Sequence, residues 1–357
     1  MKKVLAINSG SSSFKFKLFS LPDEKVVAFG MADRVGLPGA SFKIALQDGN
    51  EHIEHVEVPD QEAAVSLLLK ALKKYHVVED LNEIVGVGHR VVSGGEIFKD
   101  STVVDQEVLQ KIKDLSNFAP LHNPAEARGI EAFMHVLPKV PQVAVFDTSF
   151  HQTLDPVHYL YSIPYDYYKE YGARKYGAHG TSVHYVTLEA AKMMKKDLKD
   201  LKLITCHLGS GSSITAVKNG KSYDTSMGFS PLSGITMGTR SGDIDPSLLQ
   251  HLMHETGISM DEMINILNKK SGLLGISGIS SDMRDLKYNK NPRAVLARKI
   301  FLNRIVRYIG AYIAEMGGVD GIVLTAGVGE GDVGMRQAIM DAFKYMGVNP
   351  DYEANKT

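Results

Sequence analysis

The sequence predicts an α/β protein made of two related halves. Three observations carry this. Short apolar strands alternate with segments of helical spacing, a strand–turn–strand pattern near the N-terminus returns near residue 202, and 357 residues suffice for two cores.

The first half opens with an apolar strand from Lys3 to Ile7, a small polar turn from Asn8 to Ser13, and an alternating strand from Phe14 to Phe19, together a β-hairpin. Residues 62–76 have helical spacing, with Leu67, Leu68, Leu69 and Leu72 on or near one face. Ile84 to Val87 and Val143 to Phe146 are short apolar runs that each lead straight into polar residues. The second half restarts with a strand from Lys202 to Cys206, a glycine- and serine-rich turn from His207 to Ser213, and a strand from Ile214 to Val217. Asn219-Gly220 then supplies a type I′ hairpin turn. Ser9-Gly10-Ser11-Ser12 recurs as Ser210-Gly211-Ser212-Ser213 at a strand end, and the shared context favours an internal duplication. Helices are expected near 247–256, 260–270 and 292–316, then a strand from Gly321 to Thr325. Ala326 to Gly331 is read as a glycine-rich turn leading into a helix from about Asp332. An irregular stretch rich in Tyr and Pro follows Asp147-Thr148-Ser149, so the domains are placed at 1–150 and 151–357.

Composition excludes several classes. Hydrophobic residues make up 44% and charged residues 23%, ordinary for a globular chain and against general disorder. The formal net charge of −1 suggests neither a nucleic-acid nor an anionic-membrane partner. Cys206 is the only cysteine, which rules out an intramolecular disulfide or a thiolate metal cluster; its apolar neighbours make it a buried hydrophobe. The apolar run after Lys3 is too short for a signal-peptide core, and no run approaches a membrane span, so a cytoplasmic location is expected.

Three glycine-rich segments follow strands: Asn8 to Ser13, His207 to Ser213, and Gly327 to Gly331. Glycine lets a backbone approach an anion closely, and successive N–H groups form a concave anion site. None is a P-loop or a dinucleotide fingerprint. Together they favour a nucleotide phosphate clamp, to which Lys15 could add a cation. Arg90, in Gly88-His-Arg-Val-Val92, and Arg240, in Met237-Gly-Thr-Arg-Ser-Gly242, present planar forks suited to carboxylate and phosphoryl oxygens. His122 and His179 lie in loop-like contexts, whereas His89 and His207 follow apolar strands and read equally well as core residues. None has zinc-hydrolase spacing, and His52 and His55 receive no function. Asp147 ends an apolar strand, where α/β sheets place ligands, but could equally cap a turn. Asp243 and Asp245 could touch a metal or organise a turn, and the turn is favoured.

Taken together, these segments resemble the acetate kinase family, within the actin and sugar-kinase superfamily. The matching segments are Ile7-Asn-Ser-Gly-Ser-Ser-Ser-Phe-Lys15, Gly88 to Val92, Ala119-Pro-Leu-His-Asn-Pro124 and Val145-Phe-Asp-Thr148. They continue with Arg174-Lys-Tyr-Gly-Ala-His-Gly-Thr-Ser182, His207 to Ser213 and Asp224-Thr-Ser-Met-Gly-Phe229. Met237 to Pro246, Ser281-Asp-Met-Arg-Asp285 and Ala326-Gly-Val-Gly-Glu330 complete an ordered set spanning the chain.

The resemblance implies duplicated ribonuclease H-like domains around a central cleft and a homodimer. It also implies reversible phosphoryl transfer between ATP and acetate, giving ADP and acetyl phosphate. The N-terminal domain would serve magnesium and the acyl substrate; the C-terminal domain would serve the nucleotide and the dimer interface. Arg90 and Arg240 would grip carboxylate and phosphoryl group, His179 would stabilise the transition state, and Asp147 would lie beside the reacting groups. Asn8 would belong to the Mg²⁺ site, and Val92, Leu121, His122, Ala178 and Pro231 to the substrate pocket. ATP would be held by Lys15, Ser11, Ser13, His207, Leu208, Gly209, Ser210 and Gly211, then by Asp282, Met283, Arg284, Gly327, Val328, Gly329, Glu330 and Gly331. A carboxylate is ionised at pH 7, with pKa of about 4, so the nucleophile needs no base and Asp147 is better seen as an orienter.

Ser210 and Gly331 stand where the family usually has Asn, and Ala178 where an aromatic is common, which would enlarge the acyl pocket. Family members continue past the position of Thr357, into a segment with a magnesium-binding glutamate and a helix of the first domain. Competing expectations are a propionate or butyrate kinase, a catalytically impaired nucleotide-binding relative, and an actin-like filament protein, which would leave Arg90 and Arg240 unexplained.

Overall fold

In a computed structural model, which describes residues 1–119 and 122–356, the chain divides into two compact units, Met1–Ser149 and Phe150–Thr357. The first unit is built on strands β1 (Lys3–Ser9), β2 (Ser13–Ser20), β3 (Val26–Asp33), β4 (Ser41–Leu46), β5 (Glu51–His55), β6 (Ile84–Val91), β7 (Thr102–Val103) and β8 (Gln142–Phe146). Its main helices are α1 (Gln61–Lys74), α2 (Gln106–Asp114) and α3 (Asn123–Val136).

The sheet order is β5-β4-β3-β2-β1-β6-β8-β7. β1 to β5 form an antiparallel meander, β6 runs parallel to β1, and β8 runs parallel to β6. Alternation sets the faces. In β2, Phe14, Phe16 and Leu18 are buried while Lys15 and Lys17 are exposed, as the period of two requires. The buried face packs with Leu5 and Ile7 against Leu68, Leu72 and Phe133 of α1 and α3. Asp60 caps α1 by accepting from Ala63 N at 2.8 Å, satisfying one of the orphan amides of the first turn.

The second unit has one four-stranded sheet, β11-β10-β9-β12, from β9 (Lys202–Leu208), β10 (Ser212–Lys218), β11 (Lys221–Thr225) and β12 (Gly321–Thr325). Its helices are α4 (Pro156–Tyr159), α5 (Tyr165–Tyr171), α6 (Gly180–Met194), α7 (Pro246–Thr256), α8 (Met260–Lys269), α9 (Gly272–Ser277), α10 (Met283–Leu286), α11 (Pro292–Met316), α12 (Ala326–Gly331) and α13 (Val333–Ala342). α11 lays Ala294, Ala297, Phe301, Ile305 and Ile309 against Ile204, Cys206 and Ile214 of the sheet. This three-and-four spacing puts them on one helical stripe. Asn219 and Gly220 have φ of 55° and 77°, the left-handed pair a type I′ turn needs. Cys206 is fully buried in β9.

Several boundaries differ from the sequence expectation. The β1–β2 ladder continues through Asn8↔Lys15 and Ser9↔Phe14, so the turn shrinks to Gly10-Ser11-Ser12. Pairing of Leu208 with Ser212 likewise confines the second turn to Gly209-Ser210-Gly211. The repeated tetrapeptides are therefore out of step, since Ser9 ends a strand and Ser210 sits inside a turn. The common order β3-β2-β1-β6 and β11-β10-β9-β12 carries the likeness of the halves instead. β6 runs on through His89 and Arg90 because β8 pairs along it, and His207 lies within β9, so these residues belong to strands rather than follow them. Ala326 to Gly331 is helix α12, not a turn. Glu330 reaches back to accept from Thr325 Oγ1 at 2.8 Å and Ala326 N at 2.9 Å, which tightens the segment into helix. Strands β3 to β5 extend the meander beyond the hairpin that the pattern predicts. Among the described residues no helix is long and apolar enough to cross a membrane.

Candidate active site

In the first unit the candidate residues converge at the C-terminal ends of parallel strands. Arg90 leaves β6, and its Nε and Nη2 donate to Asp147 Oδ2 at 3.1 and 2.6 Å, just beyond β8. Its Nη1 donates to Asn8 Oδ1 of β1 at 3.3 Å. The Asp147 side chain is 3% exposed and that of Arg90 34%, so the pair is anchored from inside and open at the guanidinium. Burial strips hydration from Arg90, and the Asp147 charge and hydrogen bonds offset this and hold its pKa above the usual value. Asp147 thus ties down an arginine rather than capping a turn. Lys15 is exposed, next to Asn8 in the ladder.

Behind this pair lies a carboxyl that sequence reasoning missed. Glu126, in the first turn of α3, is 2% exposed and accepts from Val92 N at 2.9 Å. Burial pushes its pKa up to about 8, against the Val92 hydrogen bond and the Arg90 charge, and with Asp147 adding repulsion. In the sequence it reads as an ordinary acidic residue in a first helical turn, where the dipole favours it; only packing shows it is enclosed. His89 is also enclosed, and burial lowers its pKa to about 4. Gln142 Nε2 donates to Val140 O, so its Oε1 accepts from His89 Nε2, fixing that tautomer. Val92 is buried, His122 immediately precedes α3, and Leu121 lies outside the described residues.

In the second unit a separate cluster gathers around the β9–β10 turn. His179, at φ +62°, stands at the N-cap of α6 with Nδ1 2.9 Å from Ser213 Oγ. Its ring stacks on that of His207 at 4.1 Å, and His207 Nδ1 lies 2.9 Å from Ser182 Oγ. Arg240 Nη1 donates to Pro231 O at 3.0 Å. A Cβ added to Gly211 would sit 3.3 Å from Arg240 Nη1 and 3.7 Å from His179 Nε2, so this backbone is flanked by both side chains. Ala178 is buried with Met227 and Met237, and its carbonyl accepts from His151 Nε2 at 2.9 Å.

A cavity of about 720 Å³ in this unit is lined by Gly209, Ser210, Asp282, Met283, Arg284, Gly327, Val328 and Gly331, all expected at the nucleotide. Its lining also includes Lys287, Tyr288, Phe301 and Asp332, which no motif marks. His207, Leu208, Gly211, Gly329 and Glu330 are not in the lining; Leu208 is fully buried and Glu330 caps α12. Ser11, Ser13 and Lys15 belong to the first unit. Arg284 forks onto Asp282, which also caps α10. Asp245 caps α7, while Asp243 accepts from Gly234 N and from Tyr308 of α11.

Likeness to known proteins gives the class, a phosphotransferase with a carboxyl group as acceptor. The model of the acetokinase family matches residues 3–357, and the chain belongs to that family. It is 55% identical to the acetate kinase of Limosilactobacillus fermentum and 52% identical to that of Bacillus subtilis, each over 99% of this chain and 90% of the relative. The crystal structure of Porphyromonas gingivalis acetate kinase superposes with a TM-score of 0.94 at 42% identity, covering all of this chain and 90% of that one. A propionate kinase from Francisella tularensis also superposes at 0.94, with 38% identity over 99% of this chain and 91% of that one. The fold is thus the duplicated actin and sugar-kinase type.

Proposed function

We infer that the chain is an acetate kinase that reversibly transfers the γ-phosphoryl group of ATP to acetate, giving acetyl phosphate and ADP. The observation that carries this is identity of 52–55% to acetate kinases along almost the whole chain. An acetate oxygen attacks Pγ, the bond from Pγ to the bridging oxygen of ADP breaks, and no proton need move, because the acid is already ionised. The protein's task is positioning and neutralisation of charge.

On this reading Arg90 orients the carboxylate, itself held in place by Asp147, and Val92, Leu121, His122, Ala178 and Pro231 serve the acyl group as the family likeness implies. Arg240 and His179 stabilise charge on the transferring group. The 720 Å³ cavity takes the nucleoside, Gly209, Ser210 and Gly211 take its phosphates, and the remaining nucleotide contacts are as the family likeness implies. Asn8 Oδ1, which accepts from Arg90 Nη1 at 3.3 Å and keeps a second lone pair, is a hard oxygen donor of the kind Mg²⁺ prefers, so a magnesium site at Asn8 fits. Bound there, the ion would neutralise phosphate charge. The first unit then serves magnesium and acyl substrate, and the second unit nucleotide and dimer contact, in a cytoplasmic homodimer.

The test is hydroxamate trapping of acyl phosphate with acetate, propionate and butyrate. Acetate should give the highest kcat/KM, and one added methylene should cost roughly ten- to hundredfold. A higher kcat/KM for propionate would move the chain to the propionate kinases that share its fold.

A further inference from the structure

The segment that follows β6 is pinned in an unusual way. Three consecutive backbone amides, those of Val92, Ser93 and Gly94, each donate to a different buried side chain. Val92 N donates to Glu126 Oε2 at 2.9 Å, Ser93 N to Asn123 Oδ1 at 3.0 Å, and Gly94 N to Thr148 Oγ1 at 2.9 Å. Asn123 completes the grip by donating through Nδ2 to Ser93 O at 3.0 Å and to Ile112 O at 3.3 Å. None of the three residues is more than 2% exposed. A strand end usually frays into solvent; here side chains replace the ladder that has run out. The clamp acts two residues beyond Arg90 and on Val92 itself. Its anchors come from α3 and from Thr148, which adjoins Asp147.

We propose that Glu126 is a positioning residue for the transferase reaction, its carboxyl fixing Val92, and through it the β6 end that presents Arg90 to the acyl substrate. Asn123 and Thr148 share the work. Burial favours the neutral carboxyl, which still accepts from Val92 N, so the grip on the backbone needs no charge. Loss of the acceptor would leave Val92 N–H enclosed and unpaired, and the segment would shift to find another partner.

This inference rests on acetate being the acceptor, so wild-type turnover of acetate is measured alongside. Glu126→Met keeps length and packing but removes the acceptor, and Glu126→Gln keeps an acceptor oxygen without charge. Glu126→Met should raise KM for acetate roughly tenfold or more, leave KM for ATP unchanged, and lower kcat less than it raises KM. Glu126→Gln should return KM for acetate to within about threefold of wild type. Thr148→Val, which removes the Gly94 acceptor, should move KM for acetate in the same direction, and it serves if Glu126→Met does not fold. A lower melting temperature with unchanged KM for acetate would show a purely structural role and overturn the proposal. So would a Gln variant as impaired as Met. A wild-type protein that phosphorylates nucleotide-dependently some other acid but not acetate would overturn the acetate reading and this inference with it.

Discussion

The same topological slots are filled with different chemistry in the two units. Across the first sheet, Lys15 faces Asn8 in the ladder and Arg90 bonds to Asn8 from the next strand. Across the second, Ser213 faces His207, which faces Thr325. One row carries two cations and an amide; the other carries hydroxyls and an imidazole. Burial differs too. β2 alternates between buried and exposed residues, whereas β10 is buried on both faces along almost its whole length. A strand covered on both sides cannot keep a lysine at the position of Lys15, and β10 has the small hydroxyl of Ser213 there. The comparison teaches that duplication survives in strand order while the residues at matched positions diverge with the work each half does.

The largest expected effect falls on the charged row. Arg90→Ala should lower kcat/KM for acetate roughly 100- to 1,000-fold, the scale of losing a preorganised donor. It also leaves Asp147, 3% exposed, without its cation. Stripping a buried pair of one member costs about 3–5 kcal/mol, and the one-third exposure of Arg90 argues for the lower end or less. Pairing Arg90→Ala with Asp147→Ala should recover much of the stability in urea unfolding and none of the activity. Recovery of activity in the double variant would show that the arginine only balances Asp147, and the division between the rows would fail.

The two glycine turns give a finer comparison. A Cβ at Gly211 would press on Arg240 Nη1 at 3.3 Å and touch His179 at 3.7 Å, whereas one at Gly10 would meet only the neighbouring Ser13, at 3.1 Å from its hydroxyl and 3.4 Å from its carbonyl. Neither glycine has a positive φ, so backbone strain does not confuse the result. Gly211→Ala should lower kcat about tenfold, because small displacements of reacting groups are costly, and Gly10→Ala about threefold or less. Equal losses in steady-state kinetics would mean that the turns do equivalent work and that the divergence of the rows has little bearing on catalysis.

How much of this was legible in the sequence follows from how locally each feature is encoded. Asn219-Gly220 specifies its own turn, and the stripe of α11 declares itself over many residues, so these elements were readable. The ends of β1, β6 and β9 were not. Asn8, His89, Arg90 and His207 are polar, and only pairing with a distant strand keeps them extended. Ala326 to Gly331 looked like a turn because glycine disfavours helix, and the return contact from Glu330 overrides that preference. At the site, motifs pointed to Arg90, Arg240 and His179 because glycine-flanked charged residues stand out. Glu126, Lys287 and Asp332 are ordinary residues made special by enclosure or by a cavity wall, which no local pattern records.

The last effect concerns pH, where the first unit holds two enclosed groups whose shifts oppose each other. Burial raises the Glu126 pKa from 4.5 to about 8, so the folded state holds its proton more tightly than the unfolded chain. The stability this gives is fully present below pH 4.5 and is lost as pH rises through about 8. His89 does the reverse. Its pKa falls from 6.5 to about 4 on burial, so its contribution is present above 6.5 and is lost as pH falls through about 4. Each group can contribute a slope of at most about 1.4 kcal/mol per pH unit. Between pH 4.5 and 6.5 the slopes cancel, and above 6.5 only the Glu126 decline remains. Urea unfolding of wild type from pH 5 to 8 should therefore be nearly flat at first and then fall. Glu126→Gln should remove the fall above 6.5 and expose a rise below it, while His89→Gln should let the decline begin from the acid end. An unchanged profile in Glu126→Gln would mean that water reaches this carboxyl in solution and that enclosure does not shift it.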